Sequence, residues 1–314
     1  MIRYLYDVFG LRVCSPHPYR FLPAAVGRSS DREVEIRHAE VPHALQAPVA
    51  SDDMPQADAH MEVGRQGEVL WITPHGRFLA IGGTEILMSP TGCGTRPAAM
   101  LRFVFSNCLP AILIQRGQLA LHANTVATPN GAVAIGGASG AGKSTLMAAM
   151  LANGCPMLSD DVAAIRLDTA HRPVTAAGSY QYRLCADAMQ KITPAAERMR
   201  SAGGTRSKVV VTVPPQSFHP QPASLRAIYL LEVHDQDEVS IDTLSGAHKL
   251  AALRTASYAP LHVTHLSSQI QALAEIASTV PVHKIRRPRS RWTVEQLVEM
   301  INQQPHGAQQ CCPA

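Results

Sequence analysis

The residues most suited to chemistry form one run, Gly137-Ala138-Ser139-Gly140-Ala141-Gly142-Lys143-Ser144, with Thr145 next. Its spacing is GxxxxGK[ST], in which glycines let consecutive backbone N–H groups curl around phosphate oxygens with no Cβ in the way. A strand-prone run, Ala132–Gly136, leads in, and a helix-prone run, Lys143–Asn153 closed by Gly154, leads out. The loop amides therefore lie at a helix N-terminus, which favours an anion. In this arrangement Lys143 reaches the β- and γ-phosphates and the Ser144 hydroxyl ligates Mg²⁺. The pattern predicts binding of a nucleoside triphosphate. The competing reading is a glycine-rich turn that binds nothing.

Asp160-Asp161 stands seventeen positions beyond Lys143, between the apolar runs Cys155–Leu158 and Val162–Leu167. A carboxylate at a strand end can hold Mg²⁺, and a second one beside it can take a proton from an attacking hydroxyl. Ser144 and Asp161 are the expected metal ligands, although spacing alone leaves the two Asp roles open, as it does an ordinary Asp-Asp turn. His122 lies in Leu119–Ala127, one strand before the loop. A lone histidine there is more commonly a hydrogen-bonded core residue.

Taken together, Leu121-His122-Ala123-Asn124-Thr125-Val126-Ala127, the glycine-rich loop and Leu158-Ser159-Asp160-Asp161-Val162 resemble the catalytic domain of HPr kinase/phosphorylase. The likeness is closer to the related serine kinases of lasso-peptide biosynthesis, and it covers most of 96–300. Gly178–Leu184, the helix-prone Ala186–Ile192, Lys208 before Val209–Val213, Leu225–Val233 and Val282–Arg287 also fit. The resemblance implies an α/β fold, a P-loop kinase core of the HPr kinase/phosphoenolpyruvate carboxykinase type. It implies ATP and Mg²⁺ as cofactors and a serine hydroxyl of a peptide or protein as acceptor. His122, Lys143, Asp160 and Asp161 become the catalytic set, and Arg183 and Lys208 candidate phosphate or substrate contacts. A glycine-containing signature loop of the phosphorylases has no counterpart between Ala176 and Lys208, so phosphorolysis, the HPr substrate and a hexamer are not carried over. Two alternatives remain at this point: an ATP-binding switch or chaperone-like protein without phosphoryl transfer, and a kinase acting on an HPr-like protein.

The elements that must position these residues are legible in outline. The chain has 314 residues, 46% of them hydrophobic and 17% charged, enough for two domains and too apolar for general disorder. Residues 1–95 read as a small β-rich N-terminal domain, with strands in Met1–Val13, Glu33–Ile36, Val69–Ile72 and Arg77–Gly82 and a loop over Ala47–Ala59. Residues 96–304 read as the ATP-binding domain and 305–314 as a flexible tail. Pro97–Gln115 has helical spacing, with Pro110 expected to kink or divide it. Pro129-Asn130-Gly131 marks a hairpin. Ser245–Ala256, His265–Ser278 and Thr293–Gln303 read as helices. Net charge is +4 and spread out, which argues against nucleic acid. No 18-residue apolar run occurs and arginines occupy the first 25 residues, so the expectation is a soluble cytoplasmic protein without a membrane partner, with a homo-oligomer left open. Seven scattered cysteines without a CxxC pair suit a reduced compartment. The basic run Lys284–Arg291 reads either as a solvated strand end or as a contact for a charged ligand.

Overall fold

The computed structural model describes residues 3–27, 33–54, 58–91, 97–192, 199–200, 208–258 and 266–304. Two compact units emerge, Met1–Ala120 with Ser257–Leu273, and Leu121–Ala256 with Ala274–Ala314. The expected boundary near residue 95 and the tail 305–314 lie outside the described residues.

The first unit carries an eight-stranded sheet. In chain order its strands are β1 (Tyr4–Val8), β2 (Leu11–Ser15), β3 (Val34–His38), β4 (Ala50–Met54), β5 (Ala59–Val63), β6 (Val69–Thr73), β7 (Gly76–Ile81) and β8 (Glu85–Pro90). Their spatial order is β1-β2-β3-β8-β7-β6-β5-β4. Two expectations are corrected here. The described part of the expected run Met1–Val13 is a hairpin, Tyr4–Val8 with Leu11–Ser15, rather than one strand, because Phe9 and Gly10 turn the chain at φ 56° and 75°. The expected loop Ala47–Ala59 contains β4, which pairs antiparallel with β5 along its whole length. It is an edge strand, and an edge tolerates the solvated Asp52 and Asp53 that masked it in the sequence.

The helical segment α1 (Pro97–Phe103) and α2 (Leu109–Gln115) belongs to this unit. Phe103 stacks on Phe78 at 4.7 Å between ring centroids and meets Trp71 edge-on at 6.0 Å. A π-turn, Val104–Cys108, joins the two helices, with the Leu109 N–H donating to Val104 C=O. Pro110 has no N–H to continue the ordinary ladder, so the sequence divides the helix through this wider turn. Pro97–Gln115 is, among the described residues, the one helix long and apolar enough to cross a membrane, and half of it is buried within the protein.

The division between units passes through β9 (Leu119–Leu121). The second unit then runs β10 (Ala123–Thr128), β11 (Gly131–Gly137), α3 (Lys143–Ala152), β12 (Met157–Ser159), β13 (Ala163–Leu167), β14 (Pro173–Thr175), β15 (Gln181–Cys185), α4 (Ala186–Ile192), β16 (Met199–Arg200), β17 (Lys208–Thr212), β18 (Ala223–His234), β19 (Ser240–Thr243) and α5 (Gly246–Ala256). After α6 (Leu266–Thr279), through which the division passes again, come β20 (Val282–Pro288) and α7 (Val294–Gln303). The main sheet is mixed, with β12-β10-β11-β18 in a row and β20, then β19, beyond β18. β14 pairs with the start of β18, and β13 with β14. β15, β17 and β16 form a separate three-stranded sheet. Val126, Val133, Ile135, Tyr229, Ile285 and the α3 residues Leu146, Met147 and Met150 are buried in one core with Leu297 and Ile301 of α7.

The strand directions fix where chemistry gathers. β11 and β18 are parallel, as are β18 and β20. β10 runs antiparallel to both β11 and β12. The carboxyl ends of β11, β12 and β20 therefore share one edge of the sheet with the amino end of β10. Ligands of open α/β sheets bind outside the carboxyl ends of parallel strands.

Candidate functional site

The loop between β11 and α3 is shaped by glycine. Gly137 has φ 134°, and a Cβ there would stand 2.5 Å from the Leu231 carbonyl oxygen of β18. Gly140 and Gly142 take φ 83° and 102°, the latter as the residue before α3. Lys143 opens the helix with only 8% of its surface exposed. Its ammonium folds over the loop's own carbonyls, donating to Gly137 O at 2.7 Å and Ala138 O at 3.3 Å. Burial lowers its pKa, with Lys208 adding to the fall and Asp161 opposing it. Ala141 is buried, and Arg287 of β20 donates through Nε to its carbonyl at 2.8 Å.

Asp160 and Asp161 occupy a tight turn at the end of β12. The Val162 N–H donates to Asp160 C=O at 2.8 Å, which leaves Asp161 at the centre with φ 70°. That conformation is uncommon for any residue but glycine and best tolerated by Asp and Asn. Ser159 closes the turn by donating through its hydroxyl to Val162 O at 2.7 Å, while accepting from Thr125 at 2.7 Å. Asp160 Oδ2 accepts the Arg183 backbone N–H at 3.0 Å. Asp160 keeps partial solvent contact, yet the protein atoms crowding its carboxyl, and next the Asp161 charge, push its pKa up to about 7. The Arg183 N–H and the Arg183 and Lys208 charges hold back part of that rise.

His122 is corrected in one respect. It is expected within a strand Leu119–Ala127, but the strand breaks there, and His122 sits in the bend between β9 and β10. Its N–H donates to Ala256 O at 2.7 Å, so its backbone leaves the sheet ladder. The ring, with 42% of the side chain exposed, places Nδ1 3.2 Å from Asp161 Oδ1. Burial lowers the His122 pKa despite the Asp161 carboxylate, with Lys143 and Lys208 adding to the fall. A neutral imidazole beside a carboxylate can hold or relay a proton.

Arg183 and Lys208 lie on β15 and β17, whose register pairs Arg183 with Val210 and Cys185 with Lys208. The two cations consequently share the sheet face opposite the buried Tyr182, Leu184, Val209 and Val211. Both act electrostatically on Asp160.

Two participants escape a reading of the sequence. Arg287 lies in a basic run in which Lys284 pairs with Glu232 at 2.9 Å, Arg286 with Asp242 at 2.7 Å and Arg289 with Asp235 at 3.6 Å, while Arg291 donates to the Asp237 carbonyl. Arg287 differs in bonding inward to the Ala141 carbonyl, and position alone does not reveal that partner. Asn124 is the other. It is 1% exposed and shares its face of β10 with the buried Val126. Its Oδ1 accepts the Asp161 N–H at 3.0 Å, and its Nδ2 donates to Ser144 Oγ at 3.4 Å. A polar residue at a core position of β10 is the signal that could have found it.

The described residues contain no group of three His, Cys, Asp or Glu side chains that could hold a metal ion. A shallow cavity of about 410 Å³, lined by Asp53, His60 and Thr73, belongs to the first unit and has none of this geometry.

No protein-family model and no curated protein matches this chain. Among solved structures, the HPr(Ser) kinase/phosphatase from Coxiella burnetii is similar at 14% identity, over 58% of this chain and 93% of that one, with a TM-score of 0.32. At that score the likeness carries no argument, and any functional reading rests on the residues themselves.

Proposed function

We propose that the chain is an ATP-dependent kinase that phosphorylates a serine hydroxyl of a peptide or protein. The observation that carries this reading is the loop from Gly137 to Ser144. Positive-φ glycines stand before a helix N-terminus, and a buried lysine is folded onto the loop carbonyls, where it can be released to phosphate oxygens. Gly137 to Thr145 fit a triphosphate through their backbone N–H groups and Lys143. Ser144, with the Asp161 carboxylate, offers the hard oxygen ligands that Mg²⁺ prefers. Mg²⁺ bound there would neutralise phosphate charge, and the remaining work falls to side chains of this chain.

Asp160 is the better general base of the pair. A carboxylate with pKa near 7 is suited to taking a proton at neutral pH, whereas Asp161 is engaged with His122. The serine proton passes to Asp160 as the oxygen–phosphorus bond forms and the bond to the leaving nucleoside diphosphate breaks. Arg183 and Lys208 line the side from which negative charge would be balanced. The acceptor class comes from the sequence resemblance alone, with a lasso-type precursor peptide as the first candidate and the cytoplasm as its compartment.

The test is transfer of label from γ-labelled ATP to a serine peptide. Transfer by the wild type, with loss in Lys143→Ala worth about 2–4 kcal/mol of binding or transition-state stabilisation, is the expected result. Nucleotide binding with release of free phosphate only would replace the kinase by a nucleotide-driven switch.

A further inference from the structure

We infer that Asn124 is a positioning residue, which presets the Ser144 hydroxyl and the Asp161 carboxylate as one cation-holding pair. This rests on the phosphotransfer reading above and names the device by which its metal ligands are held. Ser144 stands in the first turn of α3 and Asp161 in the turn after β12, two separate elements that both lie against β10. Something must fix their separation, because a divalent cation with oxygen ligands near 2.0–2.1 Å tolerates little error.

The hydrogen-bond chemistry assigns the amide. A backbone N–H can only donate, so the atom 3.0 Å from Asp161 N must be the carbonyl oxygen of Asn124. The amide nitrogen then faces Ser144 and donates to Oγ at 3.4 Å. Ser144 thus accepts from Asn124 with one lone pair, keeps the other for a cation and directs its proton elsewhere. At the other end, the bond from Asp161 holds the φ 70° conformation, which aims its carboxylate beside His122 Nδ1. No other residue type of this size both donates and accepts across the same gap. Aspartate would lose the donor, and leucine would lose both. Asn124 itself is anchored by β10, where it stands opposite Ile135 in the core face, so the link has little freedom.

The test reads metal dependence of nucleotide binding rather than turnover. Calorimetric titration of ATP at a series of Mg²⁺ concentrations should show that Asn124→Ala needs about tenfold more Mg²⁺ than wild type, as residues supporting metal ligands typically do. Its metal-free ATP affinity should stay within about twofold. In Ser144→Ala the further change Asn124→Ala should shift the Mg²⁺ requirement much less, since the hydroxyl it serves is gone. Equal shifts in both backgrounds, or no shift in either, overturn the inference. Hydrogen exchange on the wild type without metal covers the case in which Asn124→Ala does not fold. The Asp161 amide should be strongly protected, and exchange at the rate of an open turn refutes the link. Wild-type protein with no ATP affinity at any Mg²⁺ concentration instead overturns the phosphotransfer reading, and the role of Asn124 with it.

Discussion

Replacing Asp160 by Asn separates the electrostatics of the turn from its shape. The amide keeps the size of the carboxyl and can still accept the Arg183 N–H, but it cannot ionise. Asp160 has a folded pKa of about 7 against an ordinary 3.8. A raised carboxyl favours the folded state in its protonated form, so its contribution is complete below pH 3.8 and is lost as pH rises through about 7. At 1.36 kcal/mol per pKa unit, the full difference is about 4 kcal/mol, of which about 2–3 kcal/mol falls between pH 5 and pH 8. Water reaching the partly exposed residue makes the measured figure smaller. Trp71 and Trp292 are the two tryptophans, one in each unit. Urea unfolding of the second unit can therefore be followed by Trp292 fluorescence in a Trp71→Phe background, in metal-free buffer. The wild type should lose stability from pH 5 to pH 8 by about 2 kcal/mol more than Asp160→Asn, a shift of about 1 M in midpoint at an ordinary urea slope. Parallel pH dependence of the two proteins would refute the argument that the surroundings of Asp160 raise its pKa.

Three further outcomes are expected. Gly137→Ala brings a Cβ 2.5 Å from the Leu231 carbonyl at φ 134°, so differential scanning calorimetry should find the second unit less stable by about 2–5 kcal/mol; a stability equal to wild type would mean that the loop does not approach β18. Arg287→Ala removes the donor to Ala141 and should weaken ATP binding several-fold in calorimetric titration while costing about 1–2 kcal/mol in stability. An unchanged ATP affinity would reduce Arg287 to a surface cation. His122→Ala should lower peptide phosphorylation at least tenfold without moving its Mg²⁺ requirement, since the imidazole contacts Asp161 as a neutral partner; a shifted Mg²⁺ requirement would place His122 on the metal side instead.

The second unit was largely legible because local signals and tertiary packing agree there. The strand into Gly137, the helix from Lys143 with Gly154 beyond it, and α4 and α7 carry their own turns, terminal charges or apolar stripes. The first unit was less so. β4 is made of residues that avoid strands, and only pairing with β5 makes Asp52 and Asp53 extended. The site divides in the same way. Lys143 and the Asp pair are visible as motif and spacing, whereas the break at His122 depends on an N–H bonded to Ala256, more than a hundred residues away. Asn124 and Arg287 act through contacts that no local pattern encodes. The basic run around Arg287 looks uniform until its neighbours are matched with Glu232, Asp235 and Asp242.

The reversed direction of β10 makes a remote turn a determinant of the site. Its hairpin to β11 is closed by Thr128 and Gly131 around Pro129-Asn130, with the Thr128 hydroxyl donating to Gly131 O at 2.7 Å. From there to Asn124 the strand spans about 15 Å at its usual rise. Adding or deleting one residue in that hairpin, with pairing kept beyond it, would slide β10 by about 3.3 Å and turn every side chain to the opposite face. Asn124 would leave the core side and Ala123 or Thr125 would take its place, so Ser144 and Asp161 would lose their common tie although neither had been touched. Length variation should therefore be excluded from Pro129-Asn130 as strictly as from the glycine-rich loop, even though the hairpin lies at the far end of the strand and contacts no ligand.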